Sequence, residues 1–161
     1  MSPPDLAATG RGPILAEVGF SHKTRLLTQV MTLNRLIEPS WELAMSEWVA
    51  RSALSDIHKE DYSQLNEDRL YRNMDRLYSK RGPIEAALCA KEKSLFSLQE
   101  SILLYDLTST YFEGLCLSNP KAKRGYSRDS RPDCKQVVVG LVLDAEGFPR
   151  AHEIFAGNRS D

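Results

Sequence analysis

Apolar residues recur at helical spacing from about residue 21 to about residue 98, which predicts a bundle of about four helices. The first helix is expected to end before Pro39, because proline lacks an amide hydrogen and disfavours a helical residue ahead of it. The apolar face of this helix is expected to carry Leu26, Val30, Leu33 and Ile37. Stripes of this kind are most simply the core of a helical bundle.

Start and stop signals divide the rest of the helical region. Ser40 can cap the second helix with its hydroxyl, and Asn66 can cap the third. Gly82 is expected to end the third helix, and Pro83 suits the first turn of a fourth. The second helix is expected to present Trp41, Ala44, Met45 and Trp48 on one side, the third Leu70, Met74 and Leu77, and the fourth Ile84, Ala87, Leu88 and Leu95.

Beyond the helical region the pattern changes to that of strands. A short apolar run at residues 102–105 fits a strand buried on both faces, and an alternating stretch follows it. A second strand is predicted at residues 136–143 and a third at about residues 149–155, with turn residues at 144–147 between them. The chain is therefore predicted to have an α+β fold in which the second and third strands form a hairpin.

Composition places the chain among soluble globular proteins. Its 161 residues, of which 42% are hydrophobic and 27% charged, are enough for a domain with its own core. No run approaches the roughly 18 consecutive apolar residues that span a bilayer, and the first residues lack the order of a signal peptide. We therefore expect a cytoplasmic protein with no membrane partner. The three cysteines are far apart and predict reduced thiols rather than a zinc site.

Asp106 is the strongest candidate for a chemical role, because it is a carboxylate within an otherwise apolar strand. An ionised group buried without a partner costs several kcal/mol, so the pattern predicts a cation or a set of donors beside it. Magnesium prefers carboxylate oxygen and is one such partner. The alternative is hydrogen bonding from Thr108 or from nearby backbone. If this carboxylate faces open water, the argument from burial no longer supports a metal.

The basic residues that could bind an anion are local, since the net charge of the whole chain is −1. Six cations fall at residues 121–135, in the connection between the first and second strands, and meet only Asp129 and Asp133 in that stretch. They are Lys121, Lys123, Arg124, Arg128, Arg131 and Lys135. Connections of this length are typically functional or disordered, and the alternative for the cluster is an ordinary solvated loop. Local ion pairing is the expected use of the two aspartates.

Four motifs in a fixed order resemble those of bacterial insertion-sequence transposases of the DDE type. They are DLTSTYFEG at 106–114, GYSRD at 125–129 with RPDCKQ at 131–136, GFP at 147–149, and GNRSD at 157–161. The helical region is also similar to that family's N-terminal part, including RLIEPS at 35–40. One departure is visible, because many relatives have histidine at the position of Ser130.

The resemblance implies a ribonuclease-H-like catalytic core whose first strand carries the first acidic residue of an Asp, Asp, Glu triad. Asp106 falls on that position and would be a catalytic residue and a ligand of Mg²⁺ or Mn²⁺. The family's second aspartate and its glutamate lie beyond the GNRSD motif, so this chain is expected to be an N-terminal fragment that is inactive alone. Two metal ions cannot be held by one carboxylate in the geometry that phosphodiester chemistry needs.

The resemblance also implies DNA as the partner, both as transposon ends and as target, and allows a homo-oligomer in the intact enzyme. Lys121, Lys123, Arg124, Arg128, Arg131 and Lys135 would contact phosphates, and Tyr126 could stack on an unpaired base. Two alternatives remain open, a non-catalytic DNA-binding remnant and a helical interaction module. The expected organisation is a flexible N-terminus at 1–20, a helical region at 21–98 and an incomplete ribonuclease-H-like domain at 99–161.

Overall fold

A computed structural model of the chain describes residues 11–96, 103–126 and 130–159. The chain divides into two compact units, Met1–Leu88 and Cys89–Asp161. The first unit is helical and the second contains a sheet, which confirms the α+β class. The boundary lies within a helix, ten residues before the position expected from the change in sequence pattern.

Six helices and three strands form the described part of the chain. The helices are α1 (Arg11–Glu17), α2 (His22–Ile37), α3 (Glu42–Ala50), α4 (Leu54–His58), α5 (Glu67–Ser79) and α6 (Arg81–Phe96). The strands are β1 (Leu103–Phe112), β2 (Lys135–Asp144) and β3 (Pro149–Ala156). None of these helices is both long enough and apolar enough to cross a membrane.

Helix α1 lies in the segment that was expected to be flexible. Residues 11–17 are helical and Ile14 and Leu15 are buried, so this helix is packed through these two side chains. Lys80 fixes the end of this helix by donating from Nζ to the carbonyl oxygen of Val18, at 2.7 Å, and its ammonium lies 5.0 Å from the ring centre of Phe20. Residues 1–10, the other half of the expected flexible segment, lie outside the described residues.

Helix α2 supplies much of the core of the first unit. It begins after Ser21, whose hydroxyl accepts the amide of Thr24 at 3.2 Å, and it ends at Ile37, two residues before Pro39, as predicted. Ile37 is exposed, however, so the apolar face ends one turn earlier than the sequence suggested. The buried cluster consists of Leu27, Val30, Met45, Trp48, Val49, Leu54, Leu65 and Leu70.

Helix α3 begins one residue later than expected and has a different apolar face. Ser40 does not cap it, because the Ser40 side chain is engaged with Asn34, whose Nδ2 donates to the hydroxyl at 3.0 Å. Trp41 is 82% exposed, whereas Met45 and Trp48 are buried as predicted. The prediction for Trp41 was wrong because this residue precedes the first helical turn, where its side chain no longer follows the helical period.

Helix α5 begins as predicted, with the Asn66 side chain accepting the amide of Arg69 at 3.1 Å. Leu70 is fully buried, but Met74 is exposed. Asn73 takes the interior position instead and donates to the hydroxyl of Thr28 at 3.0 Å, which lets a polar side chain lie in the core. Gly82 does not end α5, which stops at Ser79. It lies within the first turn of α6, together with Pro83.

The three strands form one antiparallel sheet in the order β1-β2-β3. Their bounds agree with the predicted strands to within one residue, except that Ile102 lies outside the described residues. The predicted hairpin of β2 and β3 is confirmed, and its register shifts at a bulge between Val142 and Leu143. Asp144 closes the turn, because its buried carboxylate accepts the amides of Glu146 and Phe148 at 3.1 and 2.8 Å.

The buried carboxylate of Asp144 also has a cationic partner. Arg150, which is itself largely buried, donates to Asp144, and its guanidinium lies 3.6 Å from Glu92 of α6. Burial on its own would raise the pKa of Asp144, but the hydrogen bonds from Phe148 and Arg150 outweigh it and hold the pKa below the usual value. Arg150 therefore joins the hairpin to the second half of α6 within the second unit.

Candidate functional site

Asp106 lies halfway along β1 and is exposed. It pairs in register with Leu141 of β2, which in turn pairs with His152 of β3, so these three residues share one face of the sheet. The expectation that the Asp106 carboxylate is buried among apolar side chains was therefore wrong. Thr108 follows on the same face and is also exposed. The strand is thus not buried on both faces at this point, and burial gives no argument for a metal.

The surroundings of Asp106 do not fit a two-ion metal site. In residues 11–96, 103–126 and 130–159, no three histidine, cysteine, aspartate or glutamate side chains come together as metal ligands would. Asp106 offers one carboxylate, and paired magnesium ions need several oxygen ligands around ions about 3.5–4 Å apart. A role for Asp106 as a metal ligand therefore rests on the motif that it begins.

Lys121, one of the predicted DNA-binding cations, is held by the sheet. Its Nζ donates to the carbonyl oxygen of Ile154 at 2.5 Å and lies 3.4 Å from a carboxylate oxygen of Glu153. Ala122 beside it is buried, so this part of the connection packs against β3. The ammonium of Lys121 therefore has a structural role, which makes Lys121 the weakest candidate among the predicted phosphate contacts.

Arg131, a second predicted DNA-binding residue, is committed to local ion pairs. Its guanidinium donates two hydrogen bonds of 3.0 Å to Asp133 and lies 3.8 Å from Glu113, and it stacks 5.0 Å from the ring centre of Tyr111. These bonds lower the pKa of Asp133 to about 2. The predicted ion-pairing role is confirmed for Asp133. Asp129 and Arg128, the latter also a predicted DNA contact, lie outside the described residues.

Lys123, Arg124 and Tyr126 are the predicted contacts that face solvent. Both cations are exposed, and Tyr126 is 87% exposed. Neither cation forms an ion pair with any acidic side chain that the structure describes. Lys135, the remaining predicted contact, is half-buried at the start of β2. Within the described part of the connection, unpaired positive charge therefore lies at residues 123–124, next to an exposed aromatic ring.

Gln136 holds this exposed segment in place, although sequence reasoning assigned it no role beyond membership of a motif. The backbones of Lys123 and Gln136 exchange two hydrogen bonds of 3.1 and 2.8 Å, so the connection adds a short bridge to β2. The side-chain amide of Gln136, which is 2% exposed, donates to the carbonyl oxygens of Tyr126 at 2.6 Å and Gly157 at 2.9 Å. One buried neutral side chain thus joins three separate segments.

Two glycines let these segments approach one another. A Cβ on Gly157 would overlap the carbonyl oxygen of Gln136 and lie 2.6 Å from that of Lys123. A Cβ on Gly125 would overlap the carbonyl oxygen of Gly157 and lie 3.0 Å from the Cα atom of Asn158. Gly157 also donates its amide to Lys121 at 3.0 Å. The structure therefore brings together parts of two of the four motifs, those at 125–136 and 157–161, which the sequence showed only in order along the chain.

Residues that follow β3 extend the same surface. Asn158 and Arg159 are exposed, and the Arg159 guanidinium lies 4.6 Å from the ring centre of Phe155. Sequence reasoning did not include Arg159 among the DNA contacts, because 24 or more residues separate it from the basic cluster up to Lys135. Ser160 and Asp161, which complete the last motif, lie outside the described residues.

Comparisons with known proteins add no assignment: no family model, curated protein or solved structure matches this chain.

Proposed function

We propose that this chain carries the helical region and the first strands of the catalytic core of a DDE-type insertion-sequence transposase, acting on DNA in the cytoplasm, with Asp106 as the first metal-binding carboxylate of a ribonuclease-H-like core. The motif that begins at Asp106 carries the proposal, and the position of this residue on an accessible strand supports it. Asp106 lies halfway along the first of three antiparallel strands that are adjacent in chain order, and it is exposed. A carboxylate that binds a metal ion acting on DNA must be accessible both to the ion and to a DNA phosphate. The exposed carboxylate of Asp106 is accessible to both.

Metal-dependent cleavage needs more than the described residues supply. Mg²⁺ or Mn²⁺ would bind at Asp106 and polarise a phosphate oxygen when further carboxylates complete its coordination. Asp106 has no such companions in the ranges that the structure describes. We therefore propose no cleavage step for this chain and expect it to bind DNA without cutting it.

DNA binding is the part of the proposed function that the described residues can perform. Lys123 and Arg124 are exposed and form no ion pair within residues 11–96, 103–126 and 130–159, so they can neutralise phosphates without losing a partner in that part of the chain. Such contacts position the protein on DNA but do not read its sequence. The helical unit is the place to seek contacts specific for transposon ends.

A non-catalytic DNA-binding remnant is the second candidate, favoured by the single carboxylate at Asp106. A helical interaction module is the third, favoured by large apolar side chains that remain exposed where α2 meets α3. They are Leu36, Ile37, Trp41 and Leu43. The three candidates differ in whether the chain binds DNA and whether Asp106 binds a metal on that DNA.

The deciding experiment uses dilute Mn²⁺ as a paramagnetic probe in NMR spectra of the whole chain mixed with a short DNA duplex. DNA is included because its phosphate oxygens complete the coordination of an ion held by one carboxylate. We expect selective broadening of amide signals around Asp106 and Leu141, which is lost in Asp106→Asn. Asp75→Asn is the matched control, because Asp75 is an exposed aspartate on α5.

Each candidate gives its own result in that experiment. Broadening that persists in Asp106→Asn, or that is no stronger than at Asp75, would refute Asp106 as a metal ligand. DNA-induced shifts without any Mn²⁺ effect at Asp106 would favour the remnant. Absence of DNA-induced shifts at low salt would contradict both DNA-binding candidates and leave the interaction module.

A further inference from the structure

We propose that Arg159, Lys123, Arg124 and Tyr126 form one binding surface for single-stranded DNA, assembled from two parts of the chain. This inference rests on the proposed function, since it specifies the kind of DNA that the exposed segment takes. It adds a residue, Arg159, from beyond β3, and it predicts a preference for unpaired bases.

The backbone contact between the two parts places these side chains together. The position of a Cβ on Gly125 is 3.0 Å from the Cα atom of Asn158, so the two segments touch at this point. Arg124 and Tyr126 flank Gly125, and Arg159 follows Asn158. Each of these three side chains is exposed and lies one residue from the contact.

Among the residues that the structure describes, ion pairing elsewhere leaves the cations of this surface unmatched. Lys121 faces Glu153, and Arg131 faces Asp133 and Glu113, so those acidic groups are already matched. Lys123, Arg124 and Arg159 have no acidic partner within 4.0 Å among the residues that the structure describes. Three cations carried on two segments whose backbones touch attract a polyanion such as a nucleic-acid backbone.

Tyr126 determines the choice between single-stranded and duplex DNA. Its ring is 87% exposed, although its own backbone is fixed by the hydrogen bond from Gln136. An aromatic ring presented on a fixed backbone beside cations is the arrangement that stacks on an unpaired base, while the cations bind the flanking phosphates. Bases in an intact duplex are already stacked on one another and do not offer that face.

Arg159 is suited to a phosphate in this arrangement. Its guanidinium packs 4.6 Å from the ring centre of Phe155, which restricts its motion while leaving it exposed. A planar guanidinium can donate two hydrogen bonds to one phosphate, which an ammonium cannot do in the same fixed geometry.

The test measures fluorescence anisotropy of the whole chain with a labelled 20-nucleotide oligo(dT) and with a duplex of the same length. We expect tighter binding to oligo(dT). Arg159→Ala should weaken that binding about 3- to 10-fold and lower the slope of log affinity against log salt by about 0.7, the value for one phosphate contact on a single strand. Tyr126→Ala should weaken oligo(dT) binding at least about 5-fold, and Tyr126→Phe should retain it.

The controls separate this inference from the proposed function. Arg76→Ala removes the same charge from an exposed position on α5 and should change neither affinity nor salt slope. If Lys123→Ala/Arg124→Ala abolishes binding but Arg159→Ala behaves like Arg76→Ala, the role of Arg159 is refuted while DNA binding stands. Equal affinity for duplex, unaffected by Tyr126→Ala, refutes the single-strand preference. If the parent chain binds neither DNA at low salt, the proposed function itself fails.

Discussion

The side-chain amide of Gln136 donates to the carbonyl oxygen of Gly157 at 2.9 Å, and through its second bond to Tyr126 it fixes both segments against β2. All of these groups are neutral, and the amide is buried. Breaking these bonds is costly, because two carbonyl oxygens then lose their donor and the bond to Gly157 is buried.

We expect Gln136→Leu to lower the free energy of unfolding by about 2–4 kcal/mol, because leucine fills a similar volume but leaves both carbonyl oxygens without a donor. Urea denaturation followed by circular dichroism measures the change. Gln64→Leu is the matched control, since Gln64 is exposed, and it should change stability by less than about 0.5 kcal/mol. Equal stability of the two variants would show that the Gln136 bonds contribute nothing.

Gly157→Ala is expected to destabilise the second unit by about 1–3 kcal/mol or more, because the added methyl group overlaps backbone atoms of Gln136 that cannot move aside. Gly82→Ala makes a useful comparison. Nothing lies within 4 Å of a Cβ at Gly82, which is in α6, and alanine there should stabilise the chain by about 0.5–1 kcal/mol. Thermal unfolding curves that rank the two variants in the opposite order would disprove the close packing at Gly157.

The pH dependence of stability should report on Asp144. The pKa of this carboxyl in the folded chain lies below its ordinary value of 3.8, so its contribution is complete above that pH and is lost as the pH falls through the lower folded value. Asp144→Asn should therefore be less stable than the parent at pH 6, and the difference should shrink below about pH 4. Urea titrations at pH 6 and pH 3 test this, with Glu146→Gln at a neighbouring exposed position as control. A difference that is constant with pH would contradict the assignment.

Asp106→Asn should leave DNA affinity within about twofold of the parent, because the carboxylate is remote from the exposed cations. Asp106 and Tyr111 are five positions apart on β1, which corresponds to about 17 Å at the rise of a strand. Tyr111 pairs with Gln136, which in turn forms a bridge with Lys123 at the start of the 123–126 segment. Neither form should nick supercoiled plasmid DNA in the presence of Mg²⁺. Nicking by the parent that disappears in Asp106→Asn would overturn the expected inactivity of this chain.

Elements with a strong local pattern could be predicted from the sequence. The strands were placed to within a residue because β-branched and apolar residues alternate between clear turn signals, and Asn66 was found because a cap acts on its own backbone neighbours. Helix α4 was missed because five residues are too few to show a period. Helix α1 was missed because Gly12 and Pro13 interrupt the apolar pattern at its start.

The composition of the candidate site was harder to predict than the fold. The six cations of the connection were evident, but which of them remain free depends on acidic partners such as Glu153, which reaches Lys121 only across the folded sheet. Gln136 and Arg159 had no sequence signal of their own, because their surroundings are built by segments far away along the chain. The exposure of Asp106 could not be predicted from the local pattern of residues either, since it depends on what covers that face of the sheet.

The two connections of the sheet differ greatly in length, and this sets an order for assembly. Residues 145–148 join β2 to β3, whereas residues 113–134 separate β1 from β2. Closing the shorter loop costs less chain entropy, so the β2-β3 hairpin should form first and β1 should dock onto it later. Substitutions in the short turn should then slow folding in stopped-flow experiments, while those in the long connection, including the bonds around Gln136, should chiefly accelerate unfolding.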